Sequence, residues 1–276
     1  MPRFSVASRS LSGSLRDKLS AAASAGFHGI ELWKDDLTEF PGGARGVRTL
    51  CQDLGLETPV LQLLRDVECQ PDGRKAKVFA EASELFDLMQ EASIRTLLVC
   101  STFRDDSIDD PERAAAELAE LAILAKPRGL ELAFEGLSFG RWTNTTGQAW
   151  HIVRRANQPN LRVSLDSAHF FIKDTPWPEL DGIPAERIGF VQLADLASRD
   201  GDLITLNRTR RVFPGEGKLP LRDFVGHVTE LGYAGFFSLE IFNDQLYRDA
   251  PGTLAARAMQ SIQGLFEQQR LPAVPS

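Results

Sequence analysis

Cysteines, long apolar runs and an excess of positive charge are all scarce in this sequence, and each absence excludes a class of protein. The 276 residues include three cysteines, an odd and widely spaced set that supports neither a disulfide framework nor a cysteine-based metal motif. No stretch is long and apolar enough to cross a bilayer. The N-terminal sequence MPRFSVASRSLSG lacks the apolar core and cleavage site of a secretory signal, so the sequence predicts a cytoplasmic protein without a membrane segment.

Negative charge exceeds positive charge, with 38 Asp and Glu against 31 Lys and Arg and a formal net charge of −7. A nucleic-acid-binding surface needs a clustered excess of Lys and Arg, so the composition argues against a nucleic-acid partner. No G-x-G-x-x-G follows the first predicted strand and no P-loop occurs, which argues against a nucleotide-binding fold. A small anionic substrate stays compatible with the charge, because a local positive patch is enough to bind it.

Short β-type runs alternate with helical patterns along the whole chain. Eight strand–helix pairs predict a parallel sheet with helices outside it, although the sixth strand is followed by a broken, proline-rich segment. The strands are predicted at 4–8, 29–33, 57–64, 95–101, 130–135, 161–166, 188–195 and 236–242. Eight such units most economically close into an α/β (β/α)8 TIM barrel, and an open doubly wound sheet is the alternative.

The chain shows no linker and no break in composition, and its length suits one barrel. We therefore predict a single TIM-barrel domain over residues 1–270, with a last helix that reaches Gln269, and a flexible C-terminal tail over residues 271–276. A homo-oligomer is left open, because the sequence does not distinguish an interface from ordinary surface helices.

Four acidic or amide residues stand at the C-terminal ends of four consecutive predicted strands. They are Glu135 in LELAFE, Asp166 in LRVSLD, Gln192 in IGFVQ and Glu240 in FFSLE. Side chains alternate between the two faces of a strand, and in each run the apolar residues take the face opposite to the polar group. All four are therefore predicted to point into the barrel, at the end where barrel active sites lie.

Three carboxylates buried close together are unstable unless a cation or shared protons neutralise them. A divalent ion does so most simply, and an all-oxygen ligand set favours Mn²⁺ or Mg²⁺, with Co²⁺ and Zn²⁺ as alternatives. Any one of the four residues alone is better explained by a salt bridge or a loop cap. Their shared parity and shared position at strand ends favour one divalent metal ion.

Other residues are predicted to surround this site. His169 follows Asp166 by three and is expected in the loop beyond the strand, where an imidazole suits general acid–base work. Arg65 ends the third strand and Arg211 follows the seventh, so both are expected to reach the mouth and bind a carboxylate or phosphate. Glu31 lies in GIELW, and the sequence leaves open whether it lines the substrate or is structural.

At this point the motifs are recognisable. Over nearly its full length the chain resembles the xylose-isomerase-like barrel superfamily of sugar phosphate isomerases and epimerases, through AGFHGIELW, the D-x-x-H of DSAH, QLAD, PGEG and SLEIFND. Within that superfamily it is most similar to the bacterial 3-dehydroshikimate dehydratases, through LLRDVE, FEGLSFGRWTNT and RVFPGEG. The glutamine of QLAD, where epimerases usually carry histidine, points the same way.

The resemblance implies a ligand set and a substrate site at matching positions. The metal ligands it implies are Glu135, Asp166, Gln192 and Glu240. It implies that His169 is a catalytic acid or base and that Arg65 and Arg211 contact substrate. Two positions depart from the dehydratases: Asn207, a further predicted substrate contact, replaces a serine, and Trp142 replaces a histidine.

Two functions compete. The first is a metal-dependent lyase that dehydrates 3-dehydroshikimate to protocatechuate through a metal-stabilised enolate. The second is a ketose isomerase or epimerase that acts through an enediolate, with Glu135 and Glu240 as the proton-transfer pair. Both act on a small anionic or polyhydroxylated carbonyl compound, and a carboxylate clamp favours the first. An abasic-site endonuclease would need more histidines and a basic face, and the changes at Trp142 and Asn207 keep a non-enzymatic barrel open.

Overall fold

In the computed structural model, which describes residues 2–71 and 73–267, eight parallel strands pair side by side and close into a barrel. The barrel strands are β1 (Arg3–Ala7), β2 (Gly29–Trp33), β3 (Val60–Arg65), β4 (Thr96–Cys100), β5 (Glu131–Glu135), β6 (Leu161–Asp166), β7 (Ile188–Leu193) and β10 (Phe236–Leu239). The first and last strands pair in register, with Phe4 opposite Phe237. This pairing confirms the TIM barrel and excludes the open sheet.

The helices follow the strands in the predicted alternation. They are α1 (Leu15–Ala25), α2 (Lys34–Thr38), α3 (Gly43–Asp53), α4 (Lys75–Ala92), α5 (Pro111–Ala125), α6 (Thr146–Ala156), α7 (Ser167–Ile172), α8 (Pro178–Asp181), α9 (Leu203–Thr209), α10 (Leu221–Glu230) and α11 (Pro251–Glu267). None of these described helices has the length and apolar character that a membrane span requires. The predicted helix end at Gln269 and the predicted tail at 271–276 lie outside the described residues.

The seventh strand differs from the sequence-based prediction. It ends at Leu193 rather than Asp195, and Asp195 begins a short strand β8 (Asp195–Leu196) that pairs antiparallel with β9 (Arg211–Val212) outside the barrel. The segment after β6, which was predicted to be broken, forms the short helices α7 and α8. Both regions lie at the C-terminal end of the barrel, and they bring additional side chains to its mouth.

The alternation of side chains along the strands divides the core into two layers. On β5, Leu132 and Phe134 pack outward into the large cluster between strands and helices. Ala133 packs inward, in a smaller cluster with Leu98 and Phe190 that fills the barrel interior. The side chain of Glu135 points to the same face of β5 as that of Ala133, so it lies above this smaller apolar cluster. The cluster fills the barrel below the site.

Candidate active site at the barrel mouth

All four predicted ligands are buried at the C-terminal ends of their strands, with exposures of 3% for Glu135, 2% for Asp166, 0% for Gln192 and 5% for Glu240. Glu135 and Asp166 are the last residues of β5 and β6, and Asp166 pairs in register with Gln192 on β7. Glu240 directly follows β10, and its backbone N–H donates to the carbonyl of Leu193. The strand ends therefore converge on one buried polar site.

Within this site, Glu135, Asp166 and His169 each place one ligand atom within 4.8 Å of the others. Two of the three belong to the predicted ligand set, and His169 is the residue predicted to act as an acid or base beside it. His169 lies in helix α7 rather than in a loop, because Asp166 caps that helix: Asp166 Oδ1 accepts the backbone N–H of His169 at 3.0 Å. One carboxylate thus both lines the cluster and positions the neighbouring imidazole.

Two buried oxygens in the site have no hydrogen-bond partner among the described residues. They are Oε1 of Glu135 and Oε1 of Gln192. A buried polar atom without a partner is costly, and carboxylate and amide oxygens are the ligands that hard divalent ions prefer. The donor set of this structure therefore fits a divalent metal ion, and its chemistry does not by itself select among Mn²⁺, Mg²⁺, Co²⁺ and Zn²⁺.

Glu31 fixes the orientation of Gln192. Its Oε2 accepts the Nε2 donors of Gln192 at 2.9 Å and of Gln62 at 2.5 Å, and its Oε1 accepts the hydroxyl of Ser238. In these contacts the amide nitrogen of Gln192 faces Glu31 and its oxygen faces away. Glu31 is fully buried and does not line the cavity at the barrel mouth. Gln62 also donates to Glu240 Oε1 at 2.7 Å.

The site holds more negative charge than it can keep ionised without a cation. Burial raises the pKa of Glu135 well above its ordinary value, and the charges of Asp166 and Glu240 add to the shift. Burial and the charge of Glu240 raise the pKa of Glu31 to about 8. Burial also opposes ionisation of Asp166, but Arg211 and His169 outweigh it and lower that pKa. A divalent ion would relieve this excess of buried negative charge.

Arg211 is enclosed by the site rather than placed at its rim. Its side chain is 1% exposed, and Nη1 donates to Asp166 Oδ2 at 2.9 Å and to Glu240 Oε2 at 2.8 Å. Its Nη2 donates to Asn207 Oδ1 at 3.1 Å, whereas Nε has no partner among the described residues. Arg211 therefore links two predicted ligands, and its contact with substrate stays a prediction for which Nε is the available donor.

His169 is held by a residue that the sequence did not single out. Its Nδ1 lies 2.9 Å from the hydroxyl of Ser138 and 3.1 Å from the backbone N–H of Ser138. The same hydroxyl accepts Nδ2 of Asn207 at 2.8 Å. Burial lowers the pKa of His169 to about 4, Asp166 opposes this shift and Arg211 adds to it, so the ring is neutral near neutral pH. Ser138 lies in the motif FEGLSF, which spans the end of β5 and the loop after it, and this motif is the sequence feature that could have indicated it.

A cavity of about 540 Å³ opens at the barrel mouth and is lined by Glu135, His169, Asn207, Arg211 and Glu240. Arg65 also lines it, at the exposed end of β3, where its guanidinium lies 5.8 Å from the ring of Phe103. In the described part of the chain Arg65 forms no ion pair, so its charge is available to a substrate. Arg208 of α9 lines the same cavity, whereas Trp142 lines a separate cavity of about 190 Å³.

Comparison with protein families agrees with this geometry. The sequence model described as Xylose isomerase-like TIM barrel matches residues 19–265, which is most of the chain. The chain belongs to this family. Its structure agrees with membership of this family, because it is a closed eight-stranded barrel with a polar cluster at the mouth.

Relatives of this xylose isomerase-like barrel include the 3-dehydroshikimate dehydratase of Pseudomonas aeruginosa, which is 42% identical over 262 residues. The match covers 95% of this chain and 41% of the relative, so the chain spans about two fifths of the length of that curated relative. A solved xylose isomerase-like TIM barrel/4-hydroxyphenylpyruvate dioxygenase fusion protein superposes with a TM-score of 0.93 at 36% identity, covering 100% of this chain and 45% of that one.

A third similarity is to the fold alone. The crystal structure of the IOLI protein with a bound zinc atom superposes on this xylose isomerase-like barrel with a TM-score of 0.87. Sequence identity is 19%, and the superposition covers 96% of this chain and 98% of that one. This likeness therefore supports the barrel fold.

Proposed function

We propose that this chain is a divalent-metal-dependent 3-dehydroshikimate dehydratase. The observation that carries the proposal is one cavity that combines a cluster suited to a divalent ion with an unpaired arginine. The ion would be held by Glu135 and Asp166, together with the unpartnered oxygen of Gln192 and with Glu240. The 42% identity to the dehydratase of Pseudomonas aeruginosa supports the substrate, and zinc in the IOLI protein supports a divalent ion.

The proposed reaction removes water from a hydroxylated cyclic ketone that bears a carboxylate. A divalent ion held in this site supplies Lewis-acid polarisation of the ketone, which acidifies the adjacent C–H bond. Arg65 binds the substrate carboxylate with its forked guanidinium, and this contact orients the ring in the cavity. Glu135 and His169 are the groups that act on protons and hydrogen bonds at the reacting atoms, and the buried walls exclude bulk water.

The charge of Arg65 favours the dehydratase over a ketose isomerase or epimerase. A neutral sugar has no group that needs an unpaired guanidinium at the edge of the cavity, whereas 3-dehydroshikimate carries a carboxylate. The isomerase uses a similar first proton removal, so the two functions differ in their products and not in the metal cluster. The decisive measurement is therefore the identity of the product.

The test incubates the metal-free chain with 3-dehydroshikimate, with and without Mn²⁺, and identifies protocatechuate by its ultraviolet absorbance and mass. We expect product only with metal, and at least about 100-fold less with Glu135→Gln. A parallel panel of ketoses in deuterated water reports solvent deuterium in the recovered sugar. Deuterium in a ketose without any protocatechuate, across Mn²⁺, Mg²⁺, Co²⁺ and Zn²⁺, would contradict the dehydratase and establish the isomerase.

A further inference from the structure

A chain of hydrogen bonds runs from Arg211 to His169, and the direction of each step is fixed by chemistry. A guanidinium only donates, so the atom of Asn207 that meets Arg211 Nη2 at 3.1 Å is the amide oxygen. The amide nitrogen of Asn207 is then the donor to the backbone carbonyl of Leu203 at 2.7 Å and to the hydroxyl of Ser138 at 2.8 Å. Two independent partners therefore agree on the orientation of the Asn207 amide.

The hydrogen bonds between Ser138 and His169 determine which nitrogen of the imidazole carries the proton. Because the Ser138 oxygen accepts from Asn207, its hydrogen is free to be donated to His169 Nδ1, which lies 2.9 Å away. The backbone N–H of Ser138 points at the same nitrogen at 3.1 Å. A proton on Nδ1 would face that N–H group directly, so Nδ1 is an acceptor and the neutral ring carries its proton on Nε2.

We propose that Ser138 and Asn207 are positioning residues that hold His169 as the Nε2–H tautomer, so that it presents a hydrogen-bond donor to the cavity. Neither nitrogen is then free to bind a metal ion, because Nδ1 is covered by Ser138 and Nε2 bears hydrogen. His169 thus lies beside the ion without ligating it, and the ion is left to the oxygen ligands.

The consequence for catalysis rests on the proposed function. A neutral imidazole donor polarises an oxygen of the substrate and does not remove a proton from carbon. That proton passes instead to the carboxylate of Glu135. The C–H electron pair forms the new double bond as the C–O bond breaks. Glu135 then returns the proton to the departing hydroxyl, which leaves as water and restores the carboxylate.

The first test reads the tautomer directly, without substrate. Protein labelled with ¹⁵N at histidine is measured by long-range ¹H–¹⁵N NMR near neutral pH, metal-free and with the diamagnetic probes Mg²⁺ and Zn²⁺, and His169→Gln assigns the His169 signals. We expect hydrogen on Nε2 and none on Nδ1 under all three conditions. Hydrogen on Nδ1, or loss of the Nε2 proton when Zn²⁺ is added, would overturn the proposal.

The second test changes the partner of the Ser138 hydroxyl. Asn207→Asp replaces the amide donor with an oxygen that accepts from Ser138, so the hydroxyl hydrogen turns away from His169 and Nδ1 keeps only the backbone N–H of Ser138. We expect the ¹⁵N resonance of unprotonated Nδ1 to move in this variant, because it loses one donor. Asn157→Asp adds the same charge at the exposed C-terminal end of α6, on the opposite face of the barrel, and is expected to give the wild-type spectrum. An unchanged His169 spectrum in Asn207→Asp would overturn the positioning role.

Ser138→Ala tests the same claim if Asn207→Asp does not fold. It removes the hydroxyl and keeps the backbone N–H, so we expect the ¹⁵N resonance of unprotonated Nδ1 to move as it loses one donor. An Nδ1 resonance identical to that of the wild type would contradict donation by the Ser138 hydroxyl. None of these spectra depends on turnover, so a failed dehydratase assay and a failed tautomer assignment are separate results.

Discussion

Glu31 illustrates how a residue beneath the site controls atoms within it. Its two oxygens accept from Gln62, Gln192 and Ser238, and these bonds aim the Gln192 oxygen away from Glu31. In Glu31→Gln an NH₂ group replaces one carboxylate oxygen. This group is itself a donor, so it repels at least one of the donors from Gln62, Gln192 and Ser238, and the Gln192 amide is released or turned. We expect Mn²⁺ affinity to fall by about 10–100-fold, as measured by isothermal titration of metal-free protein.

The control for this prediction is Glu57→Gln, which makes the same change in an exposed side chain paired with Arg3. We expect it to bind Mn²⁺ like the wild type. Equal affinities in Glu31→Gln and Glu57→Gln would show that the hydrogen bonds to Glu31 do not set the ligand geometry.

Arg65 is the second residue with a separable role. Arg65→Ala removes the charge that we assign to the substrate carboxylate and leaves the proton-transfer groups in place. Because this contact is made equally in the ground state and the transition state, we expect KM to rise by about 10–100-fold with little change in kcat. Steady-state kinetics measure both constants. Arg210→Ala, in an exposed arginine outside the cavity, should leave both unchanged, and a fall in kcat alone for Arg65→Ala would contradict the carboxylate-binding role.

At the residue scale, some site residues can be predicted from the sequence and others cannot. The four candidate ligands can be identified from the sequence because each lies at the end of a strand, and the alternation of apolar and polar side chains along a strand is a local pattern. They are Glu135, Asp166, Gln192 and Glu240. The contacts of Glu31 cannot be identified in this way, since its partners Gln192 and Ser238 lie 161 and 207 residues away and only barrel closure brings them together. Ser138 is a serine in a loop, and its orientation toward His169 follows from packing rather than from any local pattern.

At the scale of elements, one carboxylate organises the loops after β7. Asp195 accepts four backbone N–H groups, from Leu196, Gly215, Gly217 and Leu219, at 2.8–3.1 Å. Gly217 approaches so closely that an added Cβ would lie 2.3 Å from Asp195 Oδ1. The motifs QLAD and PGEG are therefore two parts of one structure, which supports the strand that carries Arg211.

Asp195→Ala leaves these donors without their acceptor inside the protein. We expect the free energy of unfolding to fall by about 2–4 kcal/mol, because hydrogen bonds to a charged group contribute more than neutral ones and four are lost together. Denaturant titration measures the loss. Asp200→Ala, in an exposed aspartate of the same segment, should change stability by less than about 0.5 kcal/mol. Matching losses in the two variants would contradict the organising role of Asp195.

Glu68 connects the loops that follow β3 and β4. It is 2% exposed, its Oε1 accepts the backbone N–H of Thr102 at 2.6 Å, and its Oε2 has no partner among the described residues. Burial raises its pKa from 4.5 to about 8, against the hydrogen bond from Thr102. Between these two values the folded chain holds a proton that the unfolded chain has released, so this carboxyl makes stability fall as pH rises.

Glu68→Gln removes that proton linkage and keeps the shape of the side chain. From pH 5 to pH 8 we expect the stability of the variant relative to the wild type to rise by about 1.4 kcal/mol per pH unit. Urea unfolding at several pH values provides the measurement. Glu230→Gln, in an exposed glutamate at the end of α10, should differ from the wild type by a constant amount, and a constant difference for Glu68→Gln would refute the assignment.

At the scale of the whole molecule, an ion bound at the mouth stabilises the entire barrel. Its candidate ligands come from β5, β6, β7 and the residue after β10, so the ion favours the closed fold over the unfolded chain. At Mn²⁺ concentrations about 100 times Kd, we expect a gain of about 2.7 kcal/mol and a higher Tm. Calorimetry with and without chelator measures this gain. Glu135→Gln should lose most of the gain while Glu230→Gln keeps it, and an equal gain in both would place the ion elsewhere.

The architecture follows from the sequence more fully than the site does. The alternation of eight strands with helices is visible locally, and β2 and β6 match their predicted bounds. Barrel closure depends on the number of units, since seven right-handed crossovers place the eighth strand beside the first. The pairing of β8 with β9 and the enclosed position of Arg211 depend on contacts between distant segments. No periodic pattern in the sequence predicts either feature.

The described chain starts and finishes on the same side of the barrel. All eight barrel strands run toward the mouth, so β1 begins on the far side at Arg3, and α11 returns there after packing beside α1. A tag, a resin or a second protein joined beside either of these points begins on the side away from the cavity. Immobilised or fused forms of this barrel should therefore keep their opening free for substrate.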